Sequence, residues 1–344
     1  MKITKILVAL SFLFAISTAH AGELTVTGNM EATYHTQGDK TTGNPLGMDR
    51  ELKFAGSTEL DNGITVSVMQ DTSDSLAYGN SQIMFGGVAG LVDIYIGSDS
   101  DPVDAIDDIT PSAYEEANGS GSGTYTSNDI GDNAGQMGIG FKASVPFLGA
   151  LNYKYYPNID GNKNSDNASS GDQGGSTGSA YSVSLKTNLG DLPAIGSFLD
   201  GATLTTGAAE KEHSTIVNAD KAFDVTAALT YSVGNFSLGY QKKVHNEGES
   251  GTSGTTDATW YKDEAIGIAY AVNDNLSLSY NTYDSYYHTS NGGTGAPDQE
   301  TKAINIGYTM GGMTIGFQDA QTDNDNYTAN TTDDTRTLGI SVAF

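Results

Sequence analysis

The sequence predicts an all-β protein that forms one transmembrane antiparallel β-barrel of 16 strands. Three observations predict this fold. Apolar and polar residues alternate, the alternating segments recur along the chain, and the segments are connected alternately by tight turns and by long polar loops. The first segment shows the alternation, because Leu24, Val26 and Met30 alternate with polar residues such as Thr25 and Thr27. Successive side chains of a strand point to opposite faces. One face of this strand is therefore apolar and the other is polar.

The other predicted strands repeat this pattern and come in pairs. The 16 segments lie at residues 24–35, 50–60, 64–70, 81–89, 91–97, 136–145, 150–157, 180–189, 202–209, 222–233, 236–244, 260–272, 276–283, 300–310, 313–319 and 335–344. Most pairs are joined by turn residues that accept a positive φ, such as Asn62-Gly63 and Gly311-Gly312. The loops between pairs are long and polar. This arrangement is typical of an outer-membrane barrel with short periplasmic turns and long extracellular loops.

The N-terminal residues have the composition of an export signal. Lys2 and Lys5 precede an apolar run at residues 6–16, and small residues flank His20 at a cleavage-like site. The run is shorter than the ~20 apolar residues that a membrane helix needs. The sequence therefore predicts a signal peptide at residues 1–21 and a single mature barrel domain at residues 22–344.

The chain is strongly acidic. It has 16 basic and 42 acidic residues, a net charge of −26, and removal of the signal peptide with its two lysines would leave −28. This charge excludes nucleic acid as a partner, and it favours a surface that meets cations. The chain has no cysteine, so no disulfide holds this exported protein together.

The last segment carries a further signal. Leu338, Ile340 and Val342 alternate with small or polar residues, and the chain stops at Phe344. Here the sequence resembles the general porin family of Gram-negative bacteria, whose final strand ends in a phenylalanine that the barrel-assembly machinery recognises. The resemblance covers the strand layout of the whole mature chain. It is more similar to alphaproteobacterial porins than to enteric ones.

The resemblance implies a function and a set of partners. It implies an outer-membrane porin that forms a water-filled channel for passive diffusion of ions and small hydrophilic solutes. It also implies a homotrimer, contacts with outer-membrane lipid and lipopolysaccharide, and an assembly signal at Phe344. The short aliphatic outward faces of the third to fifth segments agree with such an oligomer, because porin trimers pack through their early strands.

The longest loop, residues 98–135, follows the fifth segment. In the porin family the loop at this place folds into the barrel and narrows it. We therefore interpret the acidic first half of this loop as the pore constriction, whereas a solvated surface loop is the alternative. The constriction acids are Asp99, Asp101, Asp104, Asp107, Asp108, Glu115 and Glu116.

A basic strip is predicted on the wall of the pore. Strand parity directs Lys142, Lys154 and Lys186 into the lumen, at similar predicted distances from the periplasmic turns of three adjacent strands. Lys53 and Lys243 face inward by the same count. Because charged rings determine which ions pass a pore, acids opposite this strip predict a weak preference for cations.

Three alternative functions stay open at this stage. A substrate-specific channel would use inward aromatic residues, for which the candidates are Tyr95, Tyr156, Tyr261 and Tyr283. An outer-membrane barrel enzyme would need a histidine positioned beside serine or aspartate. The mature histidines, however, are scattered among different strand pairs at His35, His213, His245 and His288. A soluble, exported all-β protein is the third alternative.

The sequence predicts no cofactor and no catalytic residue. Two acidic stretches, Asp99-Ser100-Asp101 and Asp323-Asn324-Asp325-Asn326, resemble calcium ligand clusters, but neither continues as an EF-hand. Loose binding of Ca²⁺ at the acidic loops is therefore the only metal interaction that the sequence suggests.

Overall fold

The computed structural model describes residues 24–38, 43–72, 78–99, 101–117, 137–157, 178–193, 196–212, 221–246, 259–289 and 296–344. These residues form 16 antiparallel strands in one closed barrel, in which each strand pairs with its neighbour in sequence and β1 pairs with β16. The predicted fold class is confirmed. The predicted signal peptide, the mature start at Gly22 and residues 118–136 of the long loop lie outside the described residues.

The strands cover most of the described chain. They are β1 Thr25–Gln37, β2 Leu46–Glu59, β3 Thr65–Thr72, β4 Tyr78–Val88, β5 Val92–Gly97, β6 Gly138–Val145, β7 Gly149–Tyr156, β8 Ala180–Asn188, β9 Ala202–Lys211, β10 Ala222–Val233, β11 Phe236–Asn246, β12 Thr259–Ala271, β13 Leu276–Thr289, β14 Gln299–Met310, β15 Met313–Asp323 and β16 Thr332–Ala343. Short 3-10 helices lie at Asp104–Ile106, Leu189–Asp191, Gly196–Phe198 and Asp325–Tyr327. None of the described helices is long and apolar enough to span a membrane.

The periplasmic turns agree with the sequence, whereas several extracellular strand ends do not. Gly63, Gly234 and Gly311 have φ of 82°, 56° and 61°, as their turns require. At the extracellular end, β13 does not end at residue 283 but continues to Thr289, which pairs with Thr259 of β12. The sequence underestimates this length because the outward positions beyond residue 283 include Asp284 and His288, so the apolar alternation stops there.

The outer surface has two different borders. Near the periplasmic turns, aromatic side chains face outward, and the rings of Phe236 and Tyr270 lie 4.6 Å apart. Toward the extracellular end, ion pairs join the aromatic side chains: Lys242 lies 3.0 Å from Glu264, and Lys262 Nζ lies 4.5 Å from the centre of the Tyr286 ring. An aromatic girdle at the membrane interface is a common feature of these barrels. The upper border in this region therefore combines charged and aromatic side chains, whereas the lower border is mainly aromatic.

Candidate pore constriction

The chain turns into the barrel after β5 and follows its inner wall. We call the described part of this segment, residues 98, 99 and 101–117, the inner loop. The carbonyl oxygen of Asp99 accepts a hydrogen bond from Lys154 of β7 at 2.8 Å. At the far end, the hydroxyl of Tyr114 donates to Glu31 of β1 at 2.7 Å. The inner loop therefore runs along the wall from β7, past β8–β16, to β1.

Asp101 anchors the start of the inner loop. Its carboxylate is fully buried and accepts hydrogen bonds from Tyr156 at 2.7 Å, from the backbone N–H of Val103 at 2.7 Å, and from Ser182. Burial raises the pKa of Asp101, and the bonds from Ser182 and Tyr156 oppose that rise. The sequence placed Asp101 among the acids that line the pore. That placement is wrong, because the carboxylate faces the wall and fixes the loop.

Glycines of the wall make room for the inner loop. A Cβ on Gly239 would lie 2.3 Å from Pro111 Cδ, and one on Gly307 would lie 2.1 Å from the carbonyl oxygen of Ala113. Glycine within a strand often marks the close approach of another backbone. Six inward glycines contact the inner loop in this way, and we call them the glycine track: Gly207, Gly239, Gly267, Gly307, Gly316 and Gly339.

Most glycines of the track pair directly with another glycine on the neighbouring strand. Gly316 pairs directly with both Gly307 and Gly339, and Gly239 pairs with Gly267. Sequence analysis missed this feature. The signal was present, because each of these glycines occupies an inward position of its strand.

Buried amides of the wall bind the backbone of the inner loop. Gln241 accepts from the N–H of Ile109 at 3.0 Å and donates to the carbonyl of Ile106 at 2.8 Å. Gln318 donates to the carbonyls of Glu115 and Glu116 at 3.1 and 3.2 Å. Buried backbone groups need such partners. These contacts hold the loop against the wall along its length.

The five predicted lysines do not form one strip. Lys154 is fully buried beneath the inner loop, and Lys243, also buried, pairs with Asp108 at 3.1 Å. Lys142 is half-buried, with its Nζ atom 5.3 Å from the centre of the Tyr95 ring. Lys243 is paired with an acid and Lys154 is covered by the loop, so both contribute little to the field in the lumen.

Register explains why the predicted row is broken. On the shared ladder of β7 and β8, Lys154 pairs with Ser182, whereas Lys186 pairs with Ala150, four residues nearer the periplasmic end of β7. β8 ends at Asn188, so Lys186 lies closer to its turn than the sequence suggested. Lys186 is exposed there. The prediction that Lys142, Lys154 and Lys186 share one height is wrong.

The remaining lysine faces open space. Lys53 is exposed and lines a cavity of about 310 Å³ together with Asp99 of the inner loop. The side of this cavity that β2–β4 form is called the cavity wall. It is defined by Lys53, Ser57, Ser67, Gln82 and Met84. The structure thus brings one predicted basic residue and one predicted acidic residue to the same cavity.

The acids of the inner loop differ in their environments. Asp104 and Asp107 are half-buried, and Asp108 is exposed beside Lys243. Burial and nearby Asp108 raise the pKa of Glu116 to about 8, although Lys243 opposes the shift. Burial and the charge of Glu31 also raise the pKa of Glu115. Glu116 is therefore largely neutral at pH 7.

Three of the four inward tyrosines proposed for a solute path are buried, namely Tyr95, Tyr156 and Tyr283.

Two of the histidines bond to other residues of the wall: His35 lies 2.8 Å from the hydroxyl of Thr337, and His245 pairs with Asp224. His213 lies outside the described residues. Within the described ranges, no three acidic or histidine side chains converge as ligands for a metal ion.

Comparison with known proteins gives one family and several similar structures. The sequence matches the family described as Gram-negative porin over residues 7–309. No curated protein sequence matches it. Outer-membrane-expressed OmpT of Vibrio cholerae has a TM-score of 0.67 at 10% identity, covering 96% of this chain and 100% of that one.

Two further structures have the same architecture. A trimer form of Vibrio cholerae OmpT, folded in vitro, has a TM-score of 0.65 at 11% identity, covering 94% of this chain and 100% of that one. Salmonella typhi OmpF in complex with daunomycin has a TM-score of 0.63 at 14% identity, covering 94% and 98%. At these identities the likeness shows the fold alone.

Proposed function

Because the chain belongs to the Gram-negative porin family and is an outer-membrane channel, we propose that it forms a water-filled pore for passive diffusion of ions and small hydrophilic solutes. The observation that carries this proposal is the position of the inner loop. It lies along the wall from β7 to β1, and an open cavity remains beside β2–β4, lined by Lys53, Asp99 and other residues. The family and the fold point to a channel rather than to an enzyme.

The charge of the passage supports a weak preference for cations. Asp104, Asp107 and Asp108 lie on the inner loop and outnumber Lys243, which pairs with Asp108, while Lys154 is bound beneath the loop. In a water-filled pore these charges act over a Debye length of ~8 Å at physiological salt. The preference is therefore several-fold at most and weakens as the salt concentration rises.

A homotrimer is part of this proposal. One similar structure, OmpT of Vibrio cholerae, is described as a trimer form. In the present chain the outward faces of β3–β5 are mostly aliphatic, with Phe85 as the exception, and Val68, Ile83 and Ile96 are each about half exposed. Such a surface suits packing against neighbouring subunits, while the other strands face outer-membrane lipid and lipopolysaccharide. Migration as a trimer in mild detergent would test this assembly.

The N-terminus and C-terminus of the mature chain are proposed to serve export and assembly. Cleavage before Gly22 is tested by N-terminal sequencing of protein from the outer membrane. At the other end, Phe344 exchanges two backbone hydrogen bonds with Gly28 of β1, at 2.9 and 3.0 Å. We propose that Phe344 is the signal for the barrel-assembly machinery. Its deletion should lower the outer-membrane yield and leave the conductance of each assembled channel unchanged.

A planar-bilayer recording tests the proposed function directly. Purified protein should produce discrete conductance steps, and a salt gradient should give a reversal potential of the sign expected for cations. Absence of conductance steps from protein that migrates as a heat-modifiable barrel would contradict the proposal. Heat-modifiable migration also separates a membrane barrel from a soluble β-protein.

A further inference from the structure

A second loop also turns into the barrel. The connection between β15 and β16 contains the short helix Asp325–Tyr327. The N–H of Asn326 donates to Gln299 of β14 at 2.8 Å, and the hydroxyl of Tyr327 lies 2.7 Å from Ser285 of β13. Gln299 and Ser285 are fully buried residues of the inner wall. This loop, residues 324–331, therefore leans inward across β14, and we call it the mouth loop.

Tyr327 packs into an aromatic cluster inside the mouth. The centre of its ring lies 5.2 Å from the Tyr287 ring and 6.0 Å from the Tyr261 ring. The hydroxyl of Ser285 donates to Asp263, so the Tyr327 hydroxyl is the donor in its bond to Ser285. Burial raises the pKa of Tyr327 to about 12, so this donor keeps its proton at neutral pH.

The backbone of the mouth loop is strained where it turns inward. Asn326 and Tyr327 have φ of 54° and 53°, in the left-handed region. Asparagine tolerates this region, but an aromatic residue rarely adopts it. A strained backbone conformation persists only where contacts with surrounding residues enforce it. The contacts of Tyr327 with the wall therefore hold the loop in place against the preference of its own backbone.

Hydrogen bonds within the mouth loop keep it compact. The N–H of Asn324 donates to the carbonyl of Thr331 at 2.8 Å, and the hydroxyl of Thr331 contacts the carbonyls of Asp325 and Thr328 at 3.0 and 2.7 Å. The loop is thus a compact unit, fixed to the wall through Tyr327 and Asn326 and to Asp298 through the amide of Asn324 at 2.8 Å.

We propose that the mouth loop is a second restriction of the channel, above the inner loop, and that Tyr327 determines how large a solute enters. This inference rests on the proposed diffusion function. The inner loop carries carboxylates, whereas the mouth loop presents an aromatic cluster to the lumen side of β12 and β13. The mouth loop therefore selects by size, and small ions pass it with little hindrance.

The test uses liposomes that contain the purified full-length channel and compares swelling rates in arabinose and raffinose, a small and a large neutral sugar. Tyr327→Asn removes the ring but tolerates the positive φ. Tyr327→Phe and Ser285→Ala each remove the hydrogen bond and keep the ring. Ala329→Asn places the same new residue at an exposed position of the same loop and serves as the matched control.

The expected result is a raffinose-to-arabinose rate ratio that rises about twofold or more in Tyr327→Asn, because a wider opening relieves the larger solute most. The two hydrogen-bond variants should give smaller increases, and Ala329→Asn should match the unchanged channel. An unchanged ratio in a heat-modifiable Tyr327→Asn barrel would overturn the inference. If Tyr327→Asn does not fold, unchanged ratios in both hydrogen-bond variants would overturn it.

The same assay separates the two proposals. If the unchanged channel gives no swelling in arabinose, the proposed diffusion function itself fails. If it swells and no variant alters the size dependence, the diffusion function stands and only the assignment of the mouth loop is wrong.

Discussion

The inner wall of this barrel has two regions that look alike in sequence and differ in what covers them. Beneath the inner loop, Gln241 and Gln318 are buried because they bind the loop backbone. On the cavity wall, Lys53 and Ser57 are exposed. Both regions alternate polar inward residues with apolar outward residues. Inward polarity in a porin barrel therefore marks either a site that binds a loop or a surface that faces water.

The lysines follow the same division. Lys154 and Lys243 lie beneath the inner loop, where each contacts an oxygen of that loop. Lys53 lies on the cavity wall and lines the same cavity as Asp99. The lysine that influences passing ions most is therefore expected to be Lys53, although parity alone treats all inward lysines equally.

The largest effect should come from filling the glycine track. In Gly307→Ala the new Cβ would lie 2.1 Å from the carbonyl of Ala113, so the inner loop must move. Overpacking of this kind costs roughly 1–3 kcal/mol of stability. We expect an altered single-channel conductance and a lower temperature for loss of the heat-modifiable form.

Gly86→Ala is the matched control, on β4. There the nearest atoms to the new Cβ lie 3.5 and 3.6 Å away, which is ordinary contact. Conductance and thermal stability should both remain unchanged. Equal behaviour of the two variants would show that the inner loop is not held by close packing on the glycine track.

Sequence reasoning could predict the barrel but not the placement of its loops. Alternation and turn residues such as Gly63 and Gly311 fix the strands locally, so the order and approximate bounds of the strands follow from short segments. The burial of Asp101 and Lys154 depends on contacts between segments far apart in the chain, which alternation does not encode. The inward position of Gly316 was readable from parity and would have indicated where the loop docks.

The next largest effect is expected on ion selectivity, from three acids of the inner loop. Replacing Asp104, Asp107 and Asp108 together by asparagine removes three charges at constant size. The reversal potential in a salt gradient should move toward anions, by several-fold in permeability ratio at most, because salt screens each charge over ~8 Å. An unchanged reversal potential would place these residues away from the ion path.

A smaller shift in the opposite direction is expected for Lys53→Gln on the cavity wall. Removal of this cation should move the reversal potential toward cations. Lys186→Gln, at the periplasmic end of β8, is the matched control and should shift it less. A larger shift for Lys186→Gln than for Lys53→Gln would contradict the assignment of the passage to the cavity wall.

The smallest effect is a dependence on pH. Burial raises the pKa of Glu116 to about 8, so this side chain is mostly neutral below that pH and gains a negative charge as the pH rises through it. Cation preference should therefore be greater at pH 9 than at pH 7. Glu116→Gln should remove this increase, whereas Glu59→Gln near the periplasmic turn of β2 should leave it in place.

The central claim, that solutes pass along the cavity wall and not beneath the inner loop, is tested most directly by thiol modification. Because the chain has no cysteine, a single Ser→Cys substitution gives one reactive site. Ser67 lines the cavity, whereas Ser279 is buried against the N–H of Ala113 at 3.0 Å. A charged, water-soluble thiol reagent should reduce the single-channel conductance of Ser67→Cys and leave that of Ser279→Cys unchanged. Rapid modification and block of Ser279→Cys, with Ser67→Cys unaffected, would contradict the account.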